Sequence, residues 1–270
     1  MNKSALESFK AAVKDSDVKR LRSLLEASPE LANARPWEPL SSISALEIAA
    51  DGCVWHRPEK HRLCRLLVEF GAMCSLQTAA RAGMLDVVQA QLDSNPVMLD
   101  ATDAIGRTAL YRSVCVYGAF PEGDAIADFL MGRGAHVDLY SACAMGCEAR
   151  VDELLTRDPS LANQRDPEGI TALHWAVRPR RDPATAVCIV TKLLQAGADL
   201  HAANPQEDGM MPLHHAAEWS APDKVIELLL HSGACVQEGA AGSGWTALEY
   251  AIDRDRETAA KLLRTYETRG

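Results

Sequence analysis

The heptapeptide TALHWAV at residues 171–177 decides the reading of this chain, because close variants of it recur along the sequence. SALEIAA starts at Ser44, TALYRSV at Thr108, MPLHHAA at Met211 and TALEYAI at Thr246. Leucine-rich helical runs follow, as in RLLVEFGA, DFLMGRGA, TKLLQAGA and ELLLHSGA. A second self-match has about twice that period: SLLEASPELANAR ending at Arg35, AQLDSNPVMLDATD ending at Asp103 and ELLTRDPSLANQRD ending at Asp166. Their prolines, Pro29, Pro96 and Pro159, are 67 and then 63 residues apart. A unit of roughly 33 residues therefore repeats about eight times.

Each unit reads as two short helices, the first with Ala-Ala or Ala-Val where neighbours press closest and the second with leucines spaced three and four apart. One helical pair cannot cover its own apolar face, so the pairs must stack, with polar caps at the ends. The glycines of the GA dipeptides, Gly71, Gly134, Gly197 and Gly233, fall just past the second helix. A left-handed residue there satisfies stranded carbonyls. These glycines stop helices; they do not cradle phosphate.

The 270 residues are 47% apolar but only 5% aromatic, which suits a large core of small and branched aliphatic side chains. The 28 basic against 37 acidic residues leave a net charge of −9, the wrong sign for a protein that neutralises phosphates, so nucleic acid is not an expected partner. The N-terminal MNKSALESFKAAVKD has no apolar core of signal-peptide length, and no run of roughly 18 apolar residues occurs. These features lead to the expectation of a soluble, cytoplasmic chain with no membrane partner. The eight cysteines follow no disulfide framework and read as buried free thiols in a reducing compartment. Cys143 and Cys147 have no second close Cys or His pair beside them, so no metal site is expected.

TALHWAV with Thr171 and His174, PLHHAA with Pro212 and His214, and QAGADLHAAN from Gln195 together resemble the ankyrin repeat, over essentially the whole chain. The alanine- and arginine-rich helices and the LANQRDPEG junction look similar to bacterial ankyrin-repeat proteins. The resemblance implies an all-α ankyrin-repeat solenoid with β-turn fingers on one edge and a concave face lined by fingers and first helices. Within a single domain over 1–270, the repeats fall at about 5–35, 36–74, 75–106, 107–138, 139–170, 171–210, 211–245 and 246–270. Repeats beginning near Ser75 and Leu139 leave no room for a full finger before them, so fingers are expected at 35–44, 101–108, 165–171, 204–211 and 237–246. Repeats two, four and six carry about five extra residues between their helices, in CVWHRPEK, YGAFPEG and RPRRDP, and such loops carry function more often than short ones.

By resemblance, His174 and His214 bridge finger backbone, and Trp175 belongs to the core. His56, His61 and His215 have no nucleophile or carboxylate at a diagnostic spacing, so no catalytic residue and no cofactor are expected. The two positions after the alanine pair of each first helix should, by resemblance, point into the groove. Read in order, they give charged ends and an apolar middle that includes Cys115, Val116 and Met145. Trp55, Tyr117, Phe120 and Trp219 lie on or beside the long loops, and Arg178, Arg180 and Arg181 add a basic spot. Aromatic residues and arginine are enriched at interface hot spots. The finger tips carry Trp37, Ile105, Ile170, Met210 and Trp245. The expectation is a monomeric, non-catalytic module, whether adaptor, inhibitor or effector, that binds another protein or peptide. The alternative is a small-molecule binder or atypical enzyme using an apolar pocket near Cys115, Met145 and Trp219.

Overall fold

The computed structural model describes residues 3–37, 43–51, 58–115, 121–178, 183–219 and 221–267. It is all-α, and the described residues form no strand. The chain divides into two compact units, Met1–His136 and Val137–Gly270.

The first unit holds α1 (Lys3–Lys14), α2 (Val18–Ala27), α3 (Ala45–Asp51), α4 (Pro58–Glu69), α5 (Leu76–Arg81), α6 (Leu85–Ser94), α7 (Ala109–Val114) and α8 (Pro121–Gly132). The second holds α9 (Leu139–Met145), α10 (Glu148–Arg157), α11 (Ala172–Ala176), α12 (Pro183–Gln195), α13 (Pro212–Glu218), α14 (Asp223–His231), α15 (Ala247–Asp253) and α16 (Glu257–Glu267). In each unit the odd-numbered helices pack on one another in one layer. The even-numbered helices, α2 on α4 and α6 on α8, then α10 through α16 in succession, make a second layer.

The sequence explains the two layers. The odd-numbered helices bury Ala49 and Ala50, Ala79 and Ala80, and Ala216 and Ala217, side chains short enough for close helix approach. The even-numbered helices bury Leu63, Leu66 and Leu67, Ile189 and Leu193, or Leu229 and Leu230, the inward stripe of an amphipathic helix.

Four GA dipeptides end α4, α8, α12 and α14 in the same way. The glycines have φ of 87°, 86°, 82° and 102°. Each glycine N–H and the following alanine N–H return to carbonyls of the last turn, as in Gly197 to Leu194 (3.0 Å) and Ala198 to Leu193 (3.0 Å). This double bond pattern satisfies carbonyls a helix end would strand.

The proline-containing segments end α2, α6 and α10 differently, with short 3-10 turns at Pro29–Asn33, Pro96–Met98 and Pro159–Asn163. Each then ties to the next pair. The Asn33 side chain donates to the Gly71 carbonyl and accepts from the Met73 N–H, both at 2.7 Å. Asn163 does the same to Gly197 and Asp199, again at 2.7 Å. Asp100 occupies the third such place and accepts from the His136 N–H at 2.8 Å. The double-length period in the sequence is this staple.

Fingers close at Thr102 with Thr108, Arg165 with Thr171 and Asn204 with Met210. A fourth closes by Ala240 N–H to the Trp245 carbonyl at 2.8 Å. The junction at 35–44 lies partly outside the described residues.

Candidate functional site

In the second unit the three fingers form one connected row. The Arg165 guanidinium bonds the Gly169 carbonyl within its finger at 2.5 Å and the Ala203 carbonyl of the next at 2.9 Å. The Gln206 amide reaches back to the Glu168 carbonyl at 2.9 Å. The Gly242 N–H donates to the Asp208 carbonyl at 2.7 Å. Contact is close enough that a Cβ on Gly209 would stand 2.7 Å from that of Ala241, and one on Gly242 would stand 2.7 Å from that of Asp208. Glycine is required where these two fingers touch.

Side chains from the odd-numbered helices fix the row to the body. The Trp175 indole N–H donates to the Asp166 carboxylate at 2.7 Å, and that carboxylate also accepts the Glu168 and Ile170 N–H groups. The His174 Nε2–H donates to the Met210 carbonyl at 3.2 Å, leaving Nδ1 to accept from the Thr171 hydroxyl at 2.8 Å. His214 repeats the arrangement, with Nε2–H on the Glu238 carbonyl at 2.9 Å and Nδ1 accepting the Met211 N–H at 3.0 Å. Each histidine is thus held neutral in one tautomer. Burial drives the His174 pKa down to about 3 and lowers that of His214.

Beneath this row lies a buried polar knot that the sequence did not announce. Arg178 donates to Glu207 at 2.5 Å and to His215 Nδ1. His215 Nε2 lies 3.2 Å from the Asn204 side-chain amide, and its ring meets His174 edge-on at 5.0 Å. His215 is fully buried, and desolvation, then the Arg178 charge, push its pKa well below the ordinary value. Burial raises the Glu207 pKa despite the opposing Arg178. The hint in the sequence was His215 standing where TALHWAV has Trp175: a polar ring in the place of a buried one needs partners. The Arg178 guanidinium also lies over the Trp219 ring, 4.9 Å from its centroid.

Behind the knot, the Arg256 guanidinium donates to the carbonyls of Ala216, Ala217, Trp219 and Ala221, fastening the end of α13. In the first unit the corresponding face carries Asp51, whose carboxylate takes Arg112 at 2.8 Å and Arg81 at 3.6 Å.

Of the residues singled out from the sequence, Trp245 is 41% exposed on its finger, and Trp37 and Trp219 are half-buried. Arg178 and Trp219 are brought together, with the Arg178 side chain only 9% exposed. Trp55, Val116, Tyr117, Phe120, Arg180 and Arg181 lie outside the described residues, as does His56.

Several expectations are corrected. Cys115 and Met145 are core residues, 3% and 2% exposed. The short odd-numbered helices end in tight turns, such as Gly146 at φ 74° after Met145, and their last apolar side chain folds inward. The expected contrast between an apolar groove centre and charged ends is therefore not a surface contrast. Ile170 and Met210 are also buried, because each closes its finger against the body, while Ile105 and Trp245 stay exposed. Cys188 and Cys235 are exposed free thiols, unlike buried Cys64, Cys115 and Cys143. Among the described residues no three potential metal ligands converge, and no helix is long and apolar enough to cross a membrane.

Residues 183–269 match the family model described as ankyrin repeats (3 copies). The chain is 28% identical over 226 residues to human transient receptor potential cation channel subfamily A member 1, covering 74% of this chain and 19% of that protein. It is 27% identical over 236 residues to the ankyrin repeat protein nuc-2 of Neurospora crassa, covering 84% of this chain and 21% of the relative. It is 29% identical over 190 residues to the probable 26S proteasome regulatory subunit p28 of Saccharomyces cerevisiae, covering 65% of this chain and 77% of the relative. The chain thus spans about a fifth of the length of the first two relatives. Stacked helix pairs, histidines that bridge the fingers and these matches make one conclusion: residues 183–269 are ankyrin repeats, the described helix pairs before them share the same all-α repeat architecture, and repeats of this kind indicate a protein-interaction module.

Proposed function

We propose that the chain acts without covalent chemistry, as an adaptor, inhibitor or effector, holding a partner protein on its fingers and on the ends of its odd-numbered helices. The observation that supports this reading is the finger row of the second unit. It is cross-linked by backbone and side-chain bonds, and it carries the exposed Trp245. A row held this firmly loses little conformational entropy on binding, and tryptophan is among the side chains enriched at interface hot spots. One relative is named as a regulatory subunit of a larger assembly, a role of the same kind. The small-molecule alternative has less support, since Cys115 and Met145 are core.

Affinity capture from a native lysate, run in parallel with wild type, Trp245→Ala and Lys192→Ala, tests the proposal. Lys192 pairs with Asp152 and Glu148 on α10 and α12, away from the fingers. A protein retained by wild type and Lys192→Ala, and depleted about tenfold or more by Trp245→Ala at an unchanged melting temperature, is the expected result. Equal retention by all three would place recognition elsewhere.

A further inference from the structure

The last two fingers of the second unit and the helices that follow them are strongly one-signed. Between residues 201 and 257 the sequence has ten acidic residues and three basic ones. All three basic groups are engaged internally. Lys224 pairs with Glu227 at 2.9 Å, Arg254 with Glu218 at 2.5 Å, and Arg256 spends its donors on backbone carbonyls at the end of α13. Asp208, Glu238 and Asp253 are left exposed. Of these, Asp208 sits on one finger, Glu238 opens the next beside His201 at 3.2 Å, and Asp253 ends α15.

Among these carboxylates stands an exposed ring. Trp245 is 41% exposed, its ring tilted against Tyr250 with centroids 5.4 Å apart, and its backbone N–H donates to the Ser243 hydroxyl at 3.2 Å. An indole with an open face, in a field of negative charge, suits a guanidinium or ammonium group, which the ring quadrupole attracts while carboxylates steer it in. The unit already makes this contact once internally, where Arg178 lies over Trp219.

Resting on the functional reading above, we propose that the fingers at 204–211 and 237–246, with α15, bind a lysine- or arginine-rich segment of the partner protein, with one basic side chain lying on Trp245. Charge complementarity selects the occupant: an acidic or nucleic-acid partner would meet repulsion, and a purely apolar one would leave the carboxylates unanswered. Asp208 and Asp253 lie on the rim, so they set association rate and salt dependence more than lifetime.

The test uses the full chain and three labelled synthetic peptides of equal length, in which Phe alternates with Lys and Arg, with Glu, or with Ser, titrated by fluorescence anisotropy. The basic peptide is expected to bind at low salt and to lose about tenfold in affinity between low and physiological ionic strength. It should also lose about tenfold in Trp245→Ala, and in Asp208→Lys combined with Asp253→Lys, with melting temperatures unchanged. Binding of the acidic or neutral peptide as tightly as the basic one, no binding of any peptide, or indifference to the charge reversals would overturn the proposal. Lysate capture separates the two readings. A captured protein lost in Trp245→Ala but insensitive to salt and to the two charge reversals leaves the interaction module standing and removes the basic partner.

Discussion

His174, His214 and His215 are three neutral rings closed off from water, and each would have to break a hydrogen bond or charge a buried site to take up a proton. Their folded pKa values lie below the unfolded value of 6.5, with His174 at about 3. The unfolded chain therefore binds more protons than the folded one below pH 6.5, and stability present above that pH is lost as pH falls through it toward the folded values. The raised Glu207 pKa has the opposite sign, since the folded state holds that proton more readily, and it offsets part of the loss. Denaturant melts from pH 7 to 5 should show stability falling by about 1.4 kcal/mol per pH unit for each excluded proton. His215→Gln should shallow that slope. A flat profile would mean that the rings titrate normally.

Arg256 is the residue whose loss should be felt furthest from its own position. Arg256→Ala strips donors from four carbonyls at the end of α13, and buried acceptors left unpaired cost about 1–3 kcal/mol. Arg256→Lys should recover only part of this, because an ammonium cannot span the same carbonyls. Thermal melting of both variants checks the order.

At the scale of the element, the two kinds of helix ending predict different sensitivities. Gly197 sits at φ 82° with open space where a Cβ would go, so Gly197→Ala costs only backbone strain, about 1–2 kcal/mol. Asn163→Ala removes both bonds to the neighbouring pair and should cost a similar amount, about 1–2 kcal/mol. Leu193→Ala, in the fully buried stripe of α12, opens a cavity and should cost about 2–5 kcal/mol. A Leu193→Ala protein as stable as Asn163→Ala would contradict the packing described for α12.

Elements of this kind were legible in the sequence because each depends on spacing. The GA turns, the leucine stripes and the finger positions at 101–108, 165–171, 204–211 and 237–246 follow from residues close together in the chain. The polar knot was not legible, because Arg178, the finger residues Asn204 and Glu207, and His215 come from three different segments and only stacking unites them. Cys115 and Met145 were misplaced for a related reason. A position just past an alanine pair looks like groove lining, yet whether its side chain turns out or in depends on how tightly the short helix closes.

For the molecule as a whole, stability is a sum of pair and neighbour terms. Deleting residues 246–270 would uncover the α13 and α14 faces on which α15 and α16 pack. Aggregation or a sharp drop in melting temperature is the expected outcome, and a monodisperse truncated chain with unchanged melting would count against the stacked-pair account. On the proposed reading, binding belongs to a face of the second unit rather than to one residue: its last fingers present Trp245 with the exposed Asp208 and Glu238, while Lys192 of α12 pairs with Asp152 of α10.

Hydrogen–deuterium exchange of the chain alone and in complex with its captured partner tests the central claim most directly, because it reports protection along the whole backbone at once. The account predicts that added protection concentrates in the fingers and odd-numbered helices of the second unit, residues 204–219 and 238–254, with α10, α12 and α14 unchanged. Protection confined to those three helices, with the fingers exchanging as in the free chain, would contradict it.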